Sequence, residues 1–209
     1  MCFNYQFRSI IVGDSNAGKS SFLRQFVYSK FSSIHELTIG VELDHKMMKI
    51  NDKNIKLHIW DTAGLERFQA ITQNYFSRCS IVFLIFDVCC RKSYDNAFSL
   101  WFETIRRQCP EHIQIMVVGT KTDQFYNREV TKEEAQFRTS NMGIPYIEIS
   151  AKTGYNVNNA FYRIVQKTIE GLHKIPASQY YEHGITVGEF ELLNQTKIGY
   201  QPEKCCVIQ

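Results

Sequence analysis

The stretch Gly13-Asp14-Ser15-Asn16-Ala17-Gly18-Lys19-Ser20 constrains this chain more than any other. Its GxxxxGKS spacing suits a loop that wraps backbone N–H groups around phosphate oxygens. Gly13 and Gly18 let the backbone turn tightly and approach the anion, Lys19 can reach the terminal phosphates of a nucleotide, and the Ser20 hydroxyl is placed to ligate Mg²⁺. Ile10, Ile11 and Val12 form a buried-strand run just before the loop, and residues 21–27 read as a helix after it, with Phe22, Phe26 and Val27 on one face. Such a strand–loop–helix aims a helix N-terminus at an anion, so nucleotide binding is the first expectation.

At 209 residues the chain fits one domain with an appendage, and 44% hydrophobic with 22% charged residues is ordinary globular composition. A net charge of +3 without any Lys/Arg run argues against nucleic acid as a partner. No stretch approaches the length of a membrane span and the opening residues have no signal-peptide layout, which predicts a protein made and kept in the cytosol. The seven cysteines suggest neither a disulfide framework nor a metal site. Cys79, Cys89, Cys90 and Cys109 lie in or beside apolar runs and read as buried thiols, whereas Cys205 and Cys206, in Cys205-Cys206-Val207-Ile208-Gln209, have the form of a lipidation signal.

Residues 30–40 are a polar connection carrying Phe31, His35 and Thr38. Val41, Leu43, His45 and Met47 then alternate with polar residues, as do Ile55, Leu57 and Ile59 after Asn51-Asp52-Lys53, which predicts a half-buried antiparallel hairpin at one side of a sheet. Trp60 falls on the outward parity and is expected to be exposed. It opens Trp60-Asp61-Thr62-Ala63-Gly64, where an acid at the C-terminal end of a strand suits metal and phosphate chemistry: Asp61 can hold Mg²⁺ through water and Gly64 can meet a γ-phosphate. Residues 80–88 read as a central strand, 93–108 as an amphipathic helix with Ser93 as N-cap, and 113–119 as another buried strand leading to Thr120-Lys121-Thr122-Asp123. Thr131-Lys132-Glu133-Glu134 is a capping box for a helix that Gly143 and Pro145 close, Tyr146, Ile147 and Ile149 form the last strand before Ser150-Ala151-Lys152, and 157–172 is a helix. The sum is an α/β fold: a six-stranded, mostly parallel sheet with one antiparallel edge strand and about five flanking helices. A nucleotide-binding domain over 1–174 would be followed by a flexible tail over 175–209.

Taken together, GDSNAGKS, Thr38 before Ile39-Gly40, WDTAG, TKTD and SAK resemble the Ras superfamily of small GTPases in order and spacing over about residues 5–173. IGVEL, KLHIW and RFQAIT resemble Rab strings, and residues 35–42 are most similar to the Rab branch of traffic between endoplasmic reticulum and Golgi. The resemblance implies a P-loop GTPase that binds GTP or GDP with Mg²⁺. It assigns the nucleotide to Ser15, Asn16, Ala17, Gly18, Lys19, Ser20, Ser21, Phe31, Thr38, Gly64, Thr120, Lys121, Asp123, Ser150, Ala151 and Lys152, and the metal to Ser20, Thr38 and, through water, Asp61. Hydrolysis would rest on Lys19, Thr38 and the position of Leu65; effectors would meet Ile39, Leu43, Trp60 and Tyr75. Implied partners are effectors, an exchange factor, an activating protein and, through prenyl groups on Cys205 and Cys206, the cytoplasmic face of Golgi or pre-Golgi membranes, with a cytosolic pool of what is otherwise a monomer. The physical logic of Asp123 agrees, since a carboxylate accepts two N–H donors from a guanine edge and would face acceptors on adenine.

Three positions depart from the family's pattern. Thr120 stands where the family usually has Asn, Leu43 replaces the Phe of an effector-facing aromatic cluster, and Leu65 replaces the Gln that orients the attacking water. Leu65 predicts slow intrinsic hydrolysis and keeps open a locked scaffold that binds GTP without cycling; a P-loop kinase or ATPase is the reading from another class, opposed by Asp123 and Lys152. The chain's ending resembles both a doubly geranylgeranylated CCXXX signal and a farnesyl-type CaaX box.

Overall fold

The computed structural model describes residues 3–33, 40–62, 76–110 and 112–188. Strands are β1 (Tyr5–Val12), β2 (Val41–Ile50), β3 (Lys53–Thr62), β4 (Ile81–Asp87), β5 (Gln114–Thr120), β6 (Tyr146–Glu148) and β7 (Ile185–Val187). Helices are α1 (Lys19–Tyr28), α2 (residues 91–108), α3 (Lys132–Asn141) and α4 (Val157–Gly171). The sheet order is β2-β3-β1-β4-β5-β6, parallel except for the β2–β3 edge pair, with β7 added antiparallel to β1. The mostly parallel sheet with an antiparallel edge pair is the expected α/β fold, with seven strands where six are expected and, among the described residues, four helices where about five are expected.

Alternation decides which side of the sheet each helix covers. Ile11, Leu57, Phe83 and Val118 face one way and pack against Phe22 and Phe26 of α1 and Phe161 and Ile164 of α4. Phe161 stacks on Phe26 at 3.6 Å between ring centroids and on Phe22 at 4.7 Å, which fixes α1 against α4 and thereby the phosphate loop at the head of α1. Ile10, Val82, Leu84 and Val117 face the other way, against Tyr94, Phe98 and Trp101 of α2 and Ala135 of α3. The β2–β3 turn uses Asn51 and Asp52 at φ 48° and 62°, left-handed positions these residues tolerate and which match the twist of a two-residue hairpin. Thr131 caps α3 as expected, its hydroxyl accepting from the Glu134 N–H at 3.2 Å.

The structure corrects several expectations. The α2 helix starts at Arg91, with Cys90 in the N-cap position; Ser93 is inside it, and its hydroxyl accepts from the Asp87 N–H at 3.2 Å. Helix α2 also contains a π-helical turn at Ala97–Trp101, which no periodicity announced. Trp60 has the predicted parity yet is only 8% exposed, because Arg8 of β1 lies over its ring at 4.6 Å and Phe76 joins its cluster. Cys79 is buried, but Cys89, Cys90 and Cys109 are half-buried; these four described thiols are free.

The largest correction concerns residues 175–188, expected to be flexible. They turn through Ala177–Gln179 and return as β7, with Tyr5, Gln6 and Phe7 opposite Val187, Thr186 and Ile185. The cause is an open edge. The β1–β4 pairing begins only at Ser9–Ile81, so the N-terminal half of β1 has backbone groups without a ladder on that side until β7 supplies one. Ile185 is 2% exposed, and a Cβ on Gly188 would lie 1.8 Å from the Phe3 carbonyl oxygen, so the strand can close this tightly only with glycine there.

Candidate functional site: the C-terminal edge of the sheet

β1, β3, β4 and β5 all deliver their C-terminal ends to one edge, where an open α/β sheet places its ligand. At the end of β1, Gly13 adopts φ 147° and passes so close to β4 that a Cβ would meet the Ile85 carbonyl oxygen at 2.2 Å. The loop then leads into α1 without any side-chain cap and without an acidic residue in the first turn. An N-terminus left this way offers its amides and the positive end of its dipole to an anion. Lys19 is 6% exposed and donates to the Gly13 and Asp14 carbonyls at 2.9 and 2.8 Å, which stretches its ammonium across the loop mouth. Burial pushes its pKa down to about 8 against the pull of Asp61 and Asp14, so a phosphate there would meet a cation that the protein alone does not fully satisfy.

Asp14 has no role legible in the motif, yet it is the loop's anchor. Its Oδ1 accepts from Trp101 Nε1 and its Oδ2 from Asn96 Nδ2, both at 2.7 Å. Both donors sit at the boundaries of the α2 π-helical turn, which sets them side by side on the loop.

Ser20 donates to Asp61 Oδ2, while Asp61 Oδ1 is buried with no partner among the described residues. Burial pushes the Asp61 carboxyl up to about 6, with the Ser20 hydrogen bond and Lys19 opposing it. A hydroxyl and a carboxylate that share a contact and leave one buried oxygen unmatched are a hard-oxygen donor set that fits Mg²⁺. When bound, that ion would neutralise charge between the β- and γ-phosphates. Asp61 itself is held by β3, whose next residue, Thr62, donates to the Ile11 carbonyl at 2.7 Å.

A second part of the edge forms a cavity of about 220 Å³ lined by Gly18, Ser21, Phe31, Lys121, Asp123 and Ala151, with Ser33, Thr120, Gln124 and Lys152 completing it. Ser33 and Gln124 are not expected from the sequence; only the cavity's walls reveal them. Ser150 is buried and does not line it; its hydroxyl donates to Asp123 Oδ1 at 2.6 Å and accepts from the Thr153 N–H at 3.2 Å. It therefore orients Asp123, whose carboxylate accepts but cannot donate. Lys121, at φ 61°, pairs with Asp87 at 2.8 Å, and Asp87 Oδ1 also accepts from the Cys89 N–H at 2.9 Å. Thr120 is 2% exposed; its hydroxyl lies 2.7 Å from the Ala17 carbonyl and 3.1 Å from that of Phe86. A hydroxyl has one proton, which serves the nearer, so Thr120 ties the end of β5 to the phosphate loop.

The phosphate loop, a metal-fitting Ser–Asp pair and a carboxylate-bearing base cavity thus adjoin around Gly18. A family model, the Ras family, matches residues 8–170. The chain belongs to the Ras family. It is a small GTPase, a class that binds GTP and GDP with Mg²⁺ and works as a nucleotide switch with regulators and effectors. Within this Ras-family site, Thr38, Ile39, Gly64, Leu65 and Tyr75 lie outside the described residues, as do Cys205 and Cys206. Ser15, Asn16 and Ala17 lie in the loop itself, with Asn16 at φ 61° and Ala17 buried. Leu43 is 56% exposed on β2 directly opposite Trp60.

Proposed function

We propose that this Ras-family GTPase is a Rab-type switch, anchored to Golgi or pre-Golgi membranes, that regulates vesicle traffic by binding effectors in its GTP state. The observation that supports the switch is a buried cation beside a buried open acceptor at one edge: Lys19, held across the loop mouth by the Gly13 and Asp14 carbonyls, and Asp61 Oδ1, which has no partner among the described residues and which a triphosphate with its metal would engage. Closing the Thr38 and Gly64 segments on the γ-phosphate is the switch device such GTPases use. Hydrogen exchange tests it. Both segments should gain protection with a non-hydrolysable GTP analogue over GDP, and equal protection in the two states removes the proposal. The Rab and traffic assignments rest on the strings IGVEL, KLHIW and RFQAIT, and the anchor on Cys205 and Cys206. With Lys204 the only adjacent base, two prenyl chains are needed for stable attachment. Mass spectrometry of the protein from its own cells decides it, a lone farnesyl on Cys206 being the contrary result.

Leu65 supports a slow intrinsic reaction, because a side chain without a hydrogen-bonding group cannot position the water. Single-turnover hydrolysis should accelerate in Leu65→Gln. Should it not, the locked-scaffold reading falls too, since Leu65 is its sole support.

A further inference from the structure

The edge of the sheet opposite the nucleotide, where β4 and β5 begin, carries a second cavity that the GTPase chemistry does not use. It holds about 460 Å³ between the C-terminal turn of α4 and the chain just before β7, and Cys79, His112, Glu170, His173 and His183 are among its walls. His112 and His183 are neighbours across it, with ring centroids 5.8 Å apart and 39° between the ring planes. A metal–imidazole bond is about 2 Å long, so two rings on one ion stand with centroids roughly 5–6 Å apart, and this pair already has that spacing. The hydrogen bonds decide which nitrogens are available. His173 Nδ1 donates to the Glu170 carbonyl at 2.7 Å, whereas the His112 and His183 rings make no hydrogen bond among the described residues.

Both rings hang from fixed backbone. Gln114, two residues after His112, donates its N–H to the Ser80 carbonyl at 3.0 Å and its side-chain amide to the His112 carbonyl at 3.3 Å. The His183 N–H is held by the Tyr180 and Gln179 carbonyls, at 3.1 and 3.2 Å. Gly184, at φ 67°, passes so near Arg78 that a Cβ would lie 2.5 Å from its carbonyl oxygen. Little further order is lost in bringing the two rings to one ion, which is what lets a small ligand set hold it. Burial, with His112 beside it, holds the His183 imidazole below its ordinary range, in the neutral form that a metal takes. Lys167 and Lys174 also line the cavity, and Glu170 on its wall with Glu182 beside His183 offset their charge.

We propose that His112 and His183 form a binding site for a borderline divalent cation such as Zn²⁺, which staples the chain before β7 to the turn before β5. Imidazole nitrogens suit Zn²⁺ and Cu²⁺ while Mg²⁺ takes oxygen ligands, so this ion is chemically distinct from one held by Ser20 and Asp61. No three His, Cys, Asp or Glu side chains among the described residues converge on one point, so water fills the remaining positions and the affinity is moderate. A cavity of this size has room for the ion and its waters. The consequence is mechanical. Because Ile185, Thr186 and Val187 pair with β1, an ion that fixes His183 holds β7 on that edge, whatever nucleotide is bound.

The test uses the full-length chain loaded with GDP and Mg²⁺, carrying Cys205→Ser and Cys206→Ser so that the tail thiols take no metal. Zn²⁺ is titrated in competition with a chromophoric chelator. It should bind, and excess Mg²⁺ should not displace it. His112→Gln and His183→Gln should each weaken binding roughly tenfold or more, because losing either ring ends chelation. The double variant His45→Gln, His58→Gln removes the other neighbouring pair of rings, 6.3 Å apart, and should leave the affinity unchanged, as should His173→Gln. Hydrogen exchange reads the staple. Zn²⁺ should slow exchange over residues 183–187, and should fail to do so in His112→Gln, whose replacement lies outside that segment and leaves its sequence intact. Absence of Zn²⁺ binding, binding that survives both His112→Gln and His183→Gln, or binding lost with His45 and His58 overturns the proposal. Unchanged exchange over β7 with Zn²⁺ bound overturns the staple.

Discussion

At its C-terminal end β1 runs into the phosphate loop, where Gly13 and a buried Lys19 hold polar groups in a conformation that serves a ligand. At its N-terminal end the same strand is covered by β7, where Ile185 and Gly188 hold apolar and backbone groups in contacts that serve the domain alone. One end stores unsatisfied charge and the other removes unsatisfied backbone. Substitutions at the first should move ligand affinity, and substitutions at the second should move stability.

The largest effect is expected at Lys19. Lys19→Ala removes the cation from a buried site, and should weaken GTP by about 4 kcal/mol, on the order of a thousandfold, as read by displacement of a fluorescent nucleotide. The nucleotide-free protein should unfold at the same denaturant concentration or a higher one, because the ammonium is already penalised by burial. A large loss of apo stability would break the comparison from the ligand side.

Next is Ile185→Ala, which empties part of the core around β7 and should cost about 3 kcal/mol of stability, with nucleotide affinity changed less than twofold. Chemical denaturation and nucleotide titration of the same sample check it. Matching losses in both would mean that β7 supports the site through β1.

The third effect is a pH step of roughly 2–3 kcal/mol. The Asp61 carboxyl sits at about 6 in the fold against an ordinary 3.8, so between these values the native state binds more protons than the unfolded chain. Stability of the nucleotide- and metal-free protein should therefore fall as pH rises from about 4 to about 6 and then level off. Asp61→Asn should flatten this step. Mg²⁺ with GTP should also flatten it by favouring the ionised carboxylate. A step of the opposite sign would show that Asp61 is stabilised as an anion by the protein itself.

The smallest is Trp101→Phe, which removes one of the two donors on Asp14 and should cost about 1 kcal/mol. It sharpens the comparison because the loss should divide between stability and nucleotide off-rate, Asp14 being the point where the loop is tied to the domain. An effect on stability alone would leave Asp14 as a packing contact.

What was legible in the sequence was what local chemistry dictates. Gly13, Gly18, Lys19 and Ser20 announce the phosphate loop because its backbone geometry tolerates few other residues, and alternation in 41–47 and 55–59 sets the hairpin because the side-chain period of a strand is two. Asp61 is legible from its place at a strand end, and Asp123 from the resemblance of TKTD to the family's motif. The tertiary structure alone decided the rest. Asp14 acquires its role from Trp101 and Asn96, more than eighty positions away in the chain, across a π-helical turn. Ser150 becomes a positioning group only because β6 returns beside the base loop. Trp60 is covered by Arg8, a neighbour supplied by a parallel pairing that no local pattern encodes. The β7 strand shows the reason most plainly. Ile185-Thr186-Val187 is too short to be a strand by propensity, and it forms because β1 outruns β4 and leaves an edge whose hydrogen bonds have to be made somewhere.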